Sequence, residues 1–306
     1  MASGSLARPV AARQFASPLS RALARRHGLD LAHVSGSGPQ GRIVRADVEA
    51  LLGQAGPLGR GPGPDGHDAG PFDAVANSIG RQLLARRLTQ SAQQAPHFYA
   101  RVDCLMDALL ALRAERSGGA GQAGLKLSIN DFVIKAAALA LREVPAVNAS
   151  YTEAAVRRYR GVHIAMVVAL DGGLLTPVIR DADLKGVDQI ARASRDLAAR
   201  ARAGKLAHGE CRGGTFSISN LGRQGLREFT ALIDPPQAAI LAVGAAEPRA
   251  LVRDGQLVVA TMMTVTLSVD HRVFDGAVAA RWLAAFKRHL EAPREDALWE
   301  ACAQAP

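Results

Sequence analysis

The residues best suited to chemistry lie in one short stretch near the C-terminal end of the chain. From Val265 to Gly276 the sequence reads VTLSVDHRVFDG. Its first half alternates like a half-buried strand and a helical pattern begins at Gly276, so His271 is predicted at a strand-to-helix junction. An imidazole titrates near pH ~6.5, so His271 can act as a general base at neutral pH. Asp275 is interpreted as the carboxylate that holds the turn, and a surface or packing role for His271 is the alternative.

The length and composition predict an aliphatic core and a basic surface. The chain has 306 residues, enough for one large domain and one small domain. Hydrophobic residues make up 48% of the chain but aromatic residues only 4%, so aliphatic side chains must form the core. Arginine supplies most of the positive charge, and the formal net charge is +9. Because the arginine fork suits carboxylates and phosphates, an acidic protein or a nucleic acid is considered as a partner.

The cysteines and the apolar runs bear on the cellular compartment. Cys104, Cys211 and Cys302 lie far apart and lack the spacing of metal ligands, which favours a reducing compartment and no metal. No apolar run approaches the ~18 residues of a membrane span. The first 29 residues are rich in arginine and contain no acid, as in a transit peptide. We expect a soluble cytoplasmic protein without a membrane segment, with the mitochondrial matrix as the alternative.

The distribution of glycine and proline divides the chain into four parts. A tail is predicted for residues 1–12 and a small helical domain for residues 13–52. Residues 53–76 have the glycine and proline content of a flexible linker. Residues 77–306 are predicted to form the large domain.

The small domain is predicted to contain two short helices around a glycine loop. Ser17 and Pro18 are typical of a helix start. Gly36, Gly38 and Gly41 match the GxGxxG spacing of a dinucleotide-binding loop. We reject that interpretation because no strand precedes the loop and no acidic residue follows a second strand at the required distance.

The large domain alternates between helical and strand-like patterns without strict regularity. A mixed sheet covered on one face by helices fits this order best, so the predicted fold class is α/β. The helical patterns cover residues 78–92, 107–116, 130–143, 187–203 and 277–290. The strand-like patterns cover residues 97–104, 162–170, 174–179, 215–219, 238–243 and 257–269.

A series of segments in the large domain carries a family resemblance. They read GRQLLARRLTQS with PHFY, KLSINDFVIKAAALAL, VPAVNAS, GLLTPVIRDAD, GGTFSISNLG, PPQAAILAVG and DHRVFDG. Together, over residues 77–295, they resemble the catalytic domain of the dihydrolipoamide acyltransferases of 2-oxoacid dehydrogenase complexes, whose fold is shared with chloramphenicol acetyltransferase. Residues 16–52 resemble the peripheral-subunit-binding domain of the same enzymes. The resemblance therefore accounts for both units and for the linker.

The resemblance implies an acyl transfer between dihydrolipoamide and coenzyme A, which is a substrate. His271 would remove the proton from a thiol, whose pKa of ~8.5 leaves it mostly un-ionised at neutral pH. Ser219 matches the hydroxyl that stabilises the tetrahedral oxyanion. Asp275 would form a buried ion pair with Arg81 that shapes the active-site loop. The alternatives are a strand-end role for Ser219 and a solvated helix face for Arg81.

The resemblance also implies partners. In the family the catalytic groups meet at a homotrimer interface, where His271 of one subunit would face Ser219 of the next. Arg21, Arg25 and Arg42 match the positions that bind acidic surfaces of dihydrolipoamide dehydrogenase or the 2-oxoacid dehydrogenase subunit. A solvated basic face or a nucleic-acid contact is the alternative for these arginines, and no nucleic acid is expected.

Two departures from the family pattern shape the functional expectation. No lysine precedes Lys126, so we expect a lipoylated domain on another chain to supply the lipoyl group in trans. The C-terminal residues lack a leucine-rich tail, so the question whether the trimers assemble into a larger core stays open.

The favoured function is an acetyltransferase of a pyruvate dehydrogenase complex, since DHRVFDGA is closer to acetyl-type relatives. The alternative is an accessory scaffold subunit that recruits dihydrolipoamide dehydrogenase.

Overall fold

The structure is a computed structural model in which the chain divides into two compact units, Met1–Asn77 and Ser78–Pro306. The predicted tail of residues 1–12 and most of the predicted linker lie outside the described residues. The described residues are 16–27, 31, 34, 36–54, 73, 75–118, 126–170 and 173–299.

The first unit contains two helices, α1 (Pro18–His27) and α2 (Arg45–Gln54). Ser17 caps α1, because its Oγ accepts a hydrogen bond from the backbone N–H of Ser20 at 3.1 Å. Among the described residues of this unit the buried apolar core consists of Ala24, Ile43 and Val48. Both predicted helices are therefore present.

The glycine loop between α1 and α2 is closed by the start of α2. The Asp47 carboxylate accepts hydrogen bonds from the backbone N–H of Ser37 at 3.0 Å and of Val44 at 2.8 Å. The Ser37 hydroxyl also donates a hydrogen bond to this carboxylate. That bond has the largest effect, and together with the two backbone bonds it lowers the pKa of Asp47. A Cβ at Gly36 would lie 2.4 Å from the carbonyl carbon of Arg42, and Gly41 has φ of 73°. Packing and backbone conformation therefore explain these glycines.

The second unit contains six α-helices and ten strands among the described residues. The helices are α3 (Ile79–Gln94), α4 (Asp107–Gly118), α5 (Ile129–Glu143), α6 (Val187–Arg202), α7 (Gly276–Glu291) and α8 (Glu295–Trp299). The strands are β1 (His97–Leu105), β2 (Ala149–Tyr151), β3 (Val156–Arg158), β4 (Ile164–Met166), β5 (Val168–Leu170), β6 (Gly173–Leu175), β7 (Val178–Ile179), β8 (Phe216–Asn220), β9 (Ala239–Arg253) and β10 (Gln256–Asp270).

Six of these strands form the central sheet, in the order β1-β10-β9-β8-β4-β7. Strand β8 runs parallel to both β4 and β9, and the other neighbours are antiparallel. The predicted mixed sheet is confirmed. Two separate ribbons, β2–β3 and β5–β6, accompany it.

Three strand predictions differ from the structure. The strand predicted over 174–179 is divided between β6 of the β5–β6 ribbon and β7 of the central sheet. The apolar run 162–170 forms two short strands in different sheets, because the chain leaves the central sheet after Met166. The strand predicted over 238–243 continues to Arg253, pairing throughout with β10 in one long hairpin. The polar residues of the distal part of β9 obscured this extension in the sequence.

Helices α4 to α8 contribute side chains to the core on one face of the central sheet. Successive side chains of β10 alternate in direction, so Val265 and Leu267 join the core while Thr266 and Ser268 point to the opposite face. Helices α5 and α7 contribute most of the facing side chains, including Trp282. A capping box between Ser128 and Asp131 fixes the start of α5. The sheet thus has an apolar side under helices and a polar side.

Candidate active site

His271 occupies the turn between β10 and α7, as the sequence predicted. Its backbone N–H donates to the Pro96 carbonyl at 3.0 Å, and the Val273 N–H donates to the Asp270 carbonyl at 2.9 Å. The imidazole is exposed and meets the Phe98 ring edge to face, with centroids 5.5 Å apart. The backbone is therefore held on both sides while the ring stays accessible to a substrate.

An ion pair joins the two residues that flank His271. The Arg272 guanidinium donates from Nε to Asp270 Oδ1 at 2.9 Å and from Nη2 to Asp270 Oδ2 at 2.7 Å. The Arg272 backbone N–H adds a bond to Oδ1 at 3.1 Å. The hydrogen bonds to Asp270 raise the pKa of Arg272. The arginine also lies 4.2 Å from the ring centroid of Tyr151.

Asp275 caps helix α7. Its carboxylate accepts a hydrogen bond from the Val278 N–H at 3.0 Å, and the residue is exposed. Arg81 is exposed in the first turn of α3, and no ion pair among the described residues joins it to Asp275. Within the described part of one chain Asp275 and Arg81 are both exposed and no ion pair joins them. A contact between these residues of different copies stays a prediction.

Ser219 lies inside the central sheet on the polar face. It sits on β8 opposite Ala242 of β9 and is only 9% exposed. The neighbouring Ser217 on the same face donates to Gln237 Oε1 at 2.5 Å. In the described part of the chain, by contrast, the Ser219 hydroxyl has no hydrogen-bond partner. Its position is fixed by the backbone ladder and its hydroxyl is available to a ligand.

One chain does not bring Ser219 and His271 together. Ser219 pairs with Ala242, which pairs with Thr266 of β10, and His271 follows Thr266 by five residues. Two strand spacings and five residue steps place the two Cα atoms about 19 Å apart. A hydrogen bond requires heavy atoms about 3 Å apart, so one reacting atom cannot contact both side chains of the same chain.

The predicted partner-binding arginines belong to the first unit. Arg21 and Arg25 lie in α1, and the Arg25 side chain falls outside the described residues. Arg42 is exposed directly after the glycine loop. The three positions remain a prediction for partner binding.

Sequence reasoning missed the contacts that surround His271. Phe98 and Tyr151 were not singled out, because their proximity to the turn depends on strand pairing and on a separate ribbon. The sequence did offer a signal for the ion pair: Asp270 and Arg272 carry opposite charges two residues apart, and such residues can pair across a turn.

Metal-ligand clusters and membrane-spanning helices are both absent from the described residues. Those residues contain no group of three or more histidine, cysteine, aspartate or glutamate side chains arranged to hold a metal ion. None of the described helices has the length and apolar character to cross a membrane.

Family models match both units. The model of the 2-oxoacid dehydrogenases acyltransferase (catalytic domain) matches residues 70–298, well over half of the chain. The chain belongs to the 2-oxoacid dehydrogenase acyltransferase family. The model of the e3 binding domain matches residues 14–49. This match agrees with the resemblance of the first unit of this acyltransferase to a peripheral-subunit-binding domain.

Named proteins agree with the family assignment. The acyltransferase is 44% identical to the dihydrolipoyllysine-residue acetyltransferase component of the pyruvate dehydrogenase complex of Rhizobium meliloti strain 1021, over 92% of this chain and 68% of that protein. The cubic core of a pyruvate dehydrogenase multienzyme complex matches with a TM-score of 0.71 and 34% identity, over 76% of this chain and 97% of the other. The predicted fold of the catalytic domain is confirmed.

A second solved structure concerns catalysis. Dihydrolipoamide acetyltransferase of Azotobacter vinelandii matches with a TM-score of 0.71 and 33% identity, over 76% of this chain and 97% of the other. That work addresses the role of a serine, a histidine and an asparagine in the catalytic mechanism of the Azotobacter enzyme.

Proposed function

We propose that this acyltransferase moves an acetyl group between the thiol of dihydrolipoamide and the thiol of coenzyme A. One observation carries the residue assignment. The sequence interval between the serine and the histidine named in the Azotobacter enzyme equals the interval from Ser219 to His271. The asparagine follows its histidine by the same interval as Asp275 follows His271. The similarity to pyruvate dehydrogenase acetyltransferases supports acetyl as the transferred group.

The proposed chemistry assigns one proton transfer and one charge stabilisation. His271 accepts the proton of the attacking thiol, whose thiolate adds to the carbonyl carbon of the thioester. The carbonyl oxygen becomes an oxyanion, to which the Ser219 hydroxyl donates a hydrogen bond. When the intermediate collapses, the carbon–sulfur bond to the leaving thiolate breaks and His271 returns the proton to that sulfur.

The catalytic site is proposed to form between copies of the chain. Because His271 and Ser219 of one chain lie about 19 Å apart along the sheet, each must pair with the other residue on a second copy. A closed homotrimer, with the same head-to-tail contact repeated three times, gives every histidine a serine. The similarity to a cubic core supports an assembly of this kind.

The substrates define the test of this function. The assay measures steady-state acyl transfer by the full chain from acetyl-, isobutyryl- and succinyl-coenzyme A to dihydrolipoamide and to a separate lipoylated domain. We expect acetyl-coenzyme A to give the highest kcat/KM. Absence of turnover with every donor, in a preparation that sediments as a trimer, would contradict the enzymatic proposal and favour the scaffold role.

The first unit is proposed to bind an acidic surface of dihydrolipoamide dehydrogenase or of the 2-oxoacid dehydrogenase subunit. Its match to the e3 binding domain and the exposure of Arg42 support this role. We predict that Arg42→Glu raises the Kd for the partner about tenfold or more, since the substitution replaces attraction by repulsion. The wild-type affinity should also fall as salt increases.

Calorimetric titration of the full chain with the purified dehydrogenase measures this effect. Arg45→Glu is the matched control, because Arg45 is an exposed arginine of the same unit that already pairs with Glu49 at 2.6 Å. Equal weakening by both reversals would indicate a general charge effect and would contradict a specific role for Arg42.

A further inference from the structure

The turn that carries His271 is held by more than its backbone hydrogen bonds. Asp270 and Arg272 stand on either side of the histidine, and their side chains meet in the two-point ion pair described above. Asp270 is only 4% exposed, so its carboxylate depends on this arginine for its charge partner. A two-point guanidinium–carboxylate contact fixes an orientation that a single point charge does not.

The arginine is itself held from outside the turn. Its guanidinium lies over the ring of Tyr151, which belongs to the β2–β3 ribbon rather than to the central sheet. The ribbon is anchored near the same place, because the Ala238 N–H donates to the Ala149 carbonyl at 3.0 Å and the Asp270 N–H donates to the Ala238 carbonyl at 2.8 Å. Asp270, Arg272 and Tyr151 therefore form one connected contact, here called the clamp.

We propose that the clamp sets the direction in which His271 presents its imidazole to the reacting thiol, with Arg272 and Tyr151 as positioning residues. Asp270 fixes the backbone before the histidine and Arg272 fixes it after the histidine. Together they determine the direction of the Cα–Cβ bond of His271. The Phe98 ring edge then limits the ring position. This proposal rests on the proposed acyl transfer and on the role of His271 in it.

Arg272→Gln tests the clamp, because glutamine keeps most of the polar stem and removes the charge and the fork. A misplacement of about 1 Å can cost up to 100-fold in rate, so we expect kcat for acetyl transfer to fall at least tenfold. KM for both thiols should stay within about twofold, since neither residue is assigned to substrate binding. Arg272→Lys should give an intermediate kcat, because lysine retains the charge without the two-point contact.

The chain supplies a matched control in Arg294. Arg294 pairs with Asp296 across the same two-residue spacing, with Nη2 2.6 Å from Oδ2, but both side chains are exposed on the surface. Arg294→Gln removes the same chemical contact away from His271 and should leave kcat unchanged. An equal loss of kcat in both variants would overturn the proposal.

Tyr151 provides a second measurement that keeps the proposal testable if Arg272→Gln fails to fold. Tyr151→Phe keeps the aromatic face under the guanidinium, whereas Tyr151→Leu removes it. We expect Tyr151→Phe to match the wild type and Tyr151→Leu to lower kcat about threefold. Equal kcat values for the two variants, whether high or low, would contradict a role for the stacked arginine.

The pH profile separates positioning from a charge effect. A clamp that only orients the imidazole lowers kcat at every pH and leaves the apparent pKa of the profile in place. If Arg272→Gln instead moved that apparent pKa upward and kept the maximal kcat, the arginine would act on the charge of the imidazole and the clamp would be refuted. Loss of all turnover by the wild type would refute the acyl-transfer proposal itself, whereas normal turnover by both wild type and Arg272→Gln would refute the clamp alone.

Discussion

Ser219 and His271 sit in opposite kinds of surroundings. Ser219 is buried inside the central sheet, where its strand β8 lies between β4 and β9 and its backbone pairs with Ala242 of β9. His271 is exposed on a turn, where a backbone bond to Pro96, the edge of Phe98 and the pair of charged neighbours hold it. The serine is fixed by the fold as a whole, and the histidine by a handful of local contacts.

The difference corresponds to the two tasks proposed for these residues. A donor to an oxyanion is most effective when it is preorganised, since no reorganisation is then needed as charge develops. A base must exchange protons with substrates that enter and leave, so it requires an accessible ring. The exposure of His271 also lets a second copy of the chain cover it. Each half of the proposed site is thus incomplete in a single chain.

The largest effects are expected when either residue is removed. His271→Ala should lower kcat about 10³-fold, because general-base catalysis contributes on the order of 10²–10⁴. Ser219→Ala should lower kcat about 10²-fold, since a lost oxyanion donor costs about 3 kcal/mol of barrier. Both variants should keep the wild-type sedimentation coefficient. Wild-type turnover by His271→Ala would contradict the proposed mechanism.

Co-expression of these two variants provides the sharper comparison. When equal amounts of the two variants assemble at random, one interface in three of each mixed trimer, or about a quarter of all interfaces, combines a wild-type His271 with a wild-type Ser219 of the next copy. A mixture of two nearly inactive proteins should therefore regain about a quarter of the wild-type kcat. Activity no higher than that of the separate variants, in trimers shown by mass spectrometry to be mixed, would place both residues of a site on one chain and exclude the intersubunit arrangement.

The local features of the His271 region could be predicted from the sequence. The alternation before Asp270 and the helical pattern after Gly276 gave the strand-to-helix junction, because both periods are local properties of the chain. The start of α1 followed equally well from Ser17, whose side chain closes the first turn of the helix. The glycine loop was correctly separated from a dinucleotide site by its missing strand.

The spatial relation of the site residues could not be predicted in the same way. The distance between Ser219 and His271 depends on the register of three strands, which long-range pairing determines. The engagement of Asp275 depends on competition between two partners, an arginine far away in sequence and a helix N-terminus three residues on. Within the chain the nearby backbone N–H of Val278 is the partner. The family resemblance supplied the residues but not this geometry.

The smallest effect is expected at Asp275, where capping and charge can be separated. Asp275→Ala removes the side-chain cap of α7 and should lower the free energy of unfolding by about 1 kcal/mol. Asp275→Asn keeps an oxygen that can accept from the Val278 N–H, so its stability should remain near that of the wild type. Because the amide keeps the size of the carboxylate and its bond to α7, we expect kcat within about twofold of the wild type for this variant.

Denaturant unfolding and steady-state kinetics on the two Asp275 variants measure these effects. The comparison also bears on Arg81, which would face Asp275 only across copies of the chain. If Asp275→Asn weakened the trimer or lowered kcat more than tenfold while unfolding like the wild type, the charge itself would be required. An ion pair with Arg81 of a neighbouring copy would then account for the loss, and Arg81→Gln should reproduce it. Normal kinetics for Asp275→Asn would limit the carboxylate to its role at the start of α7.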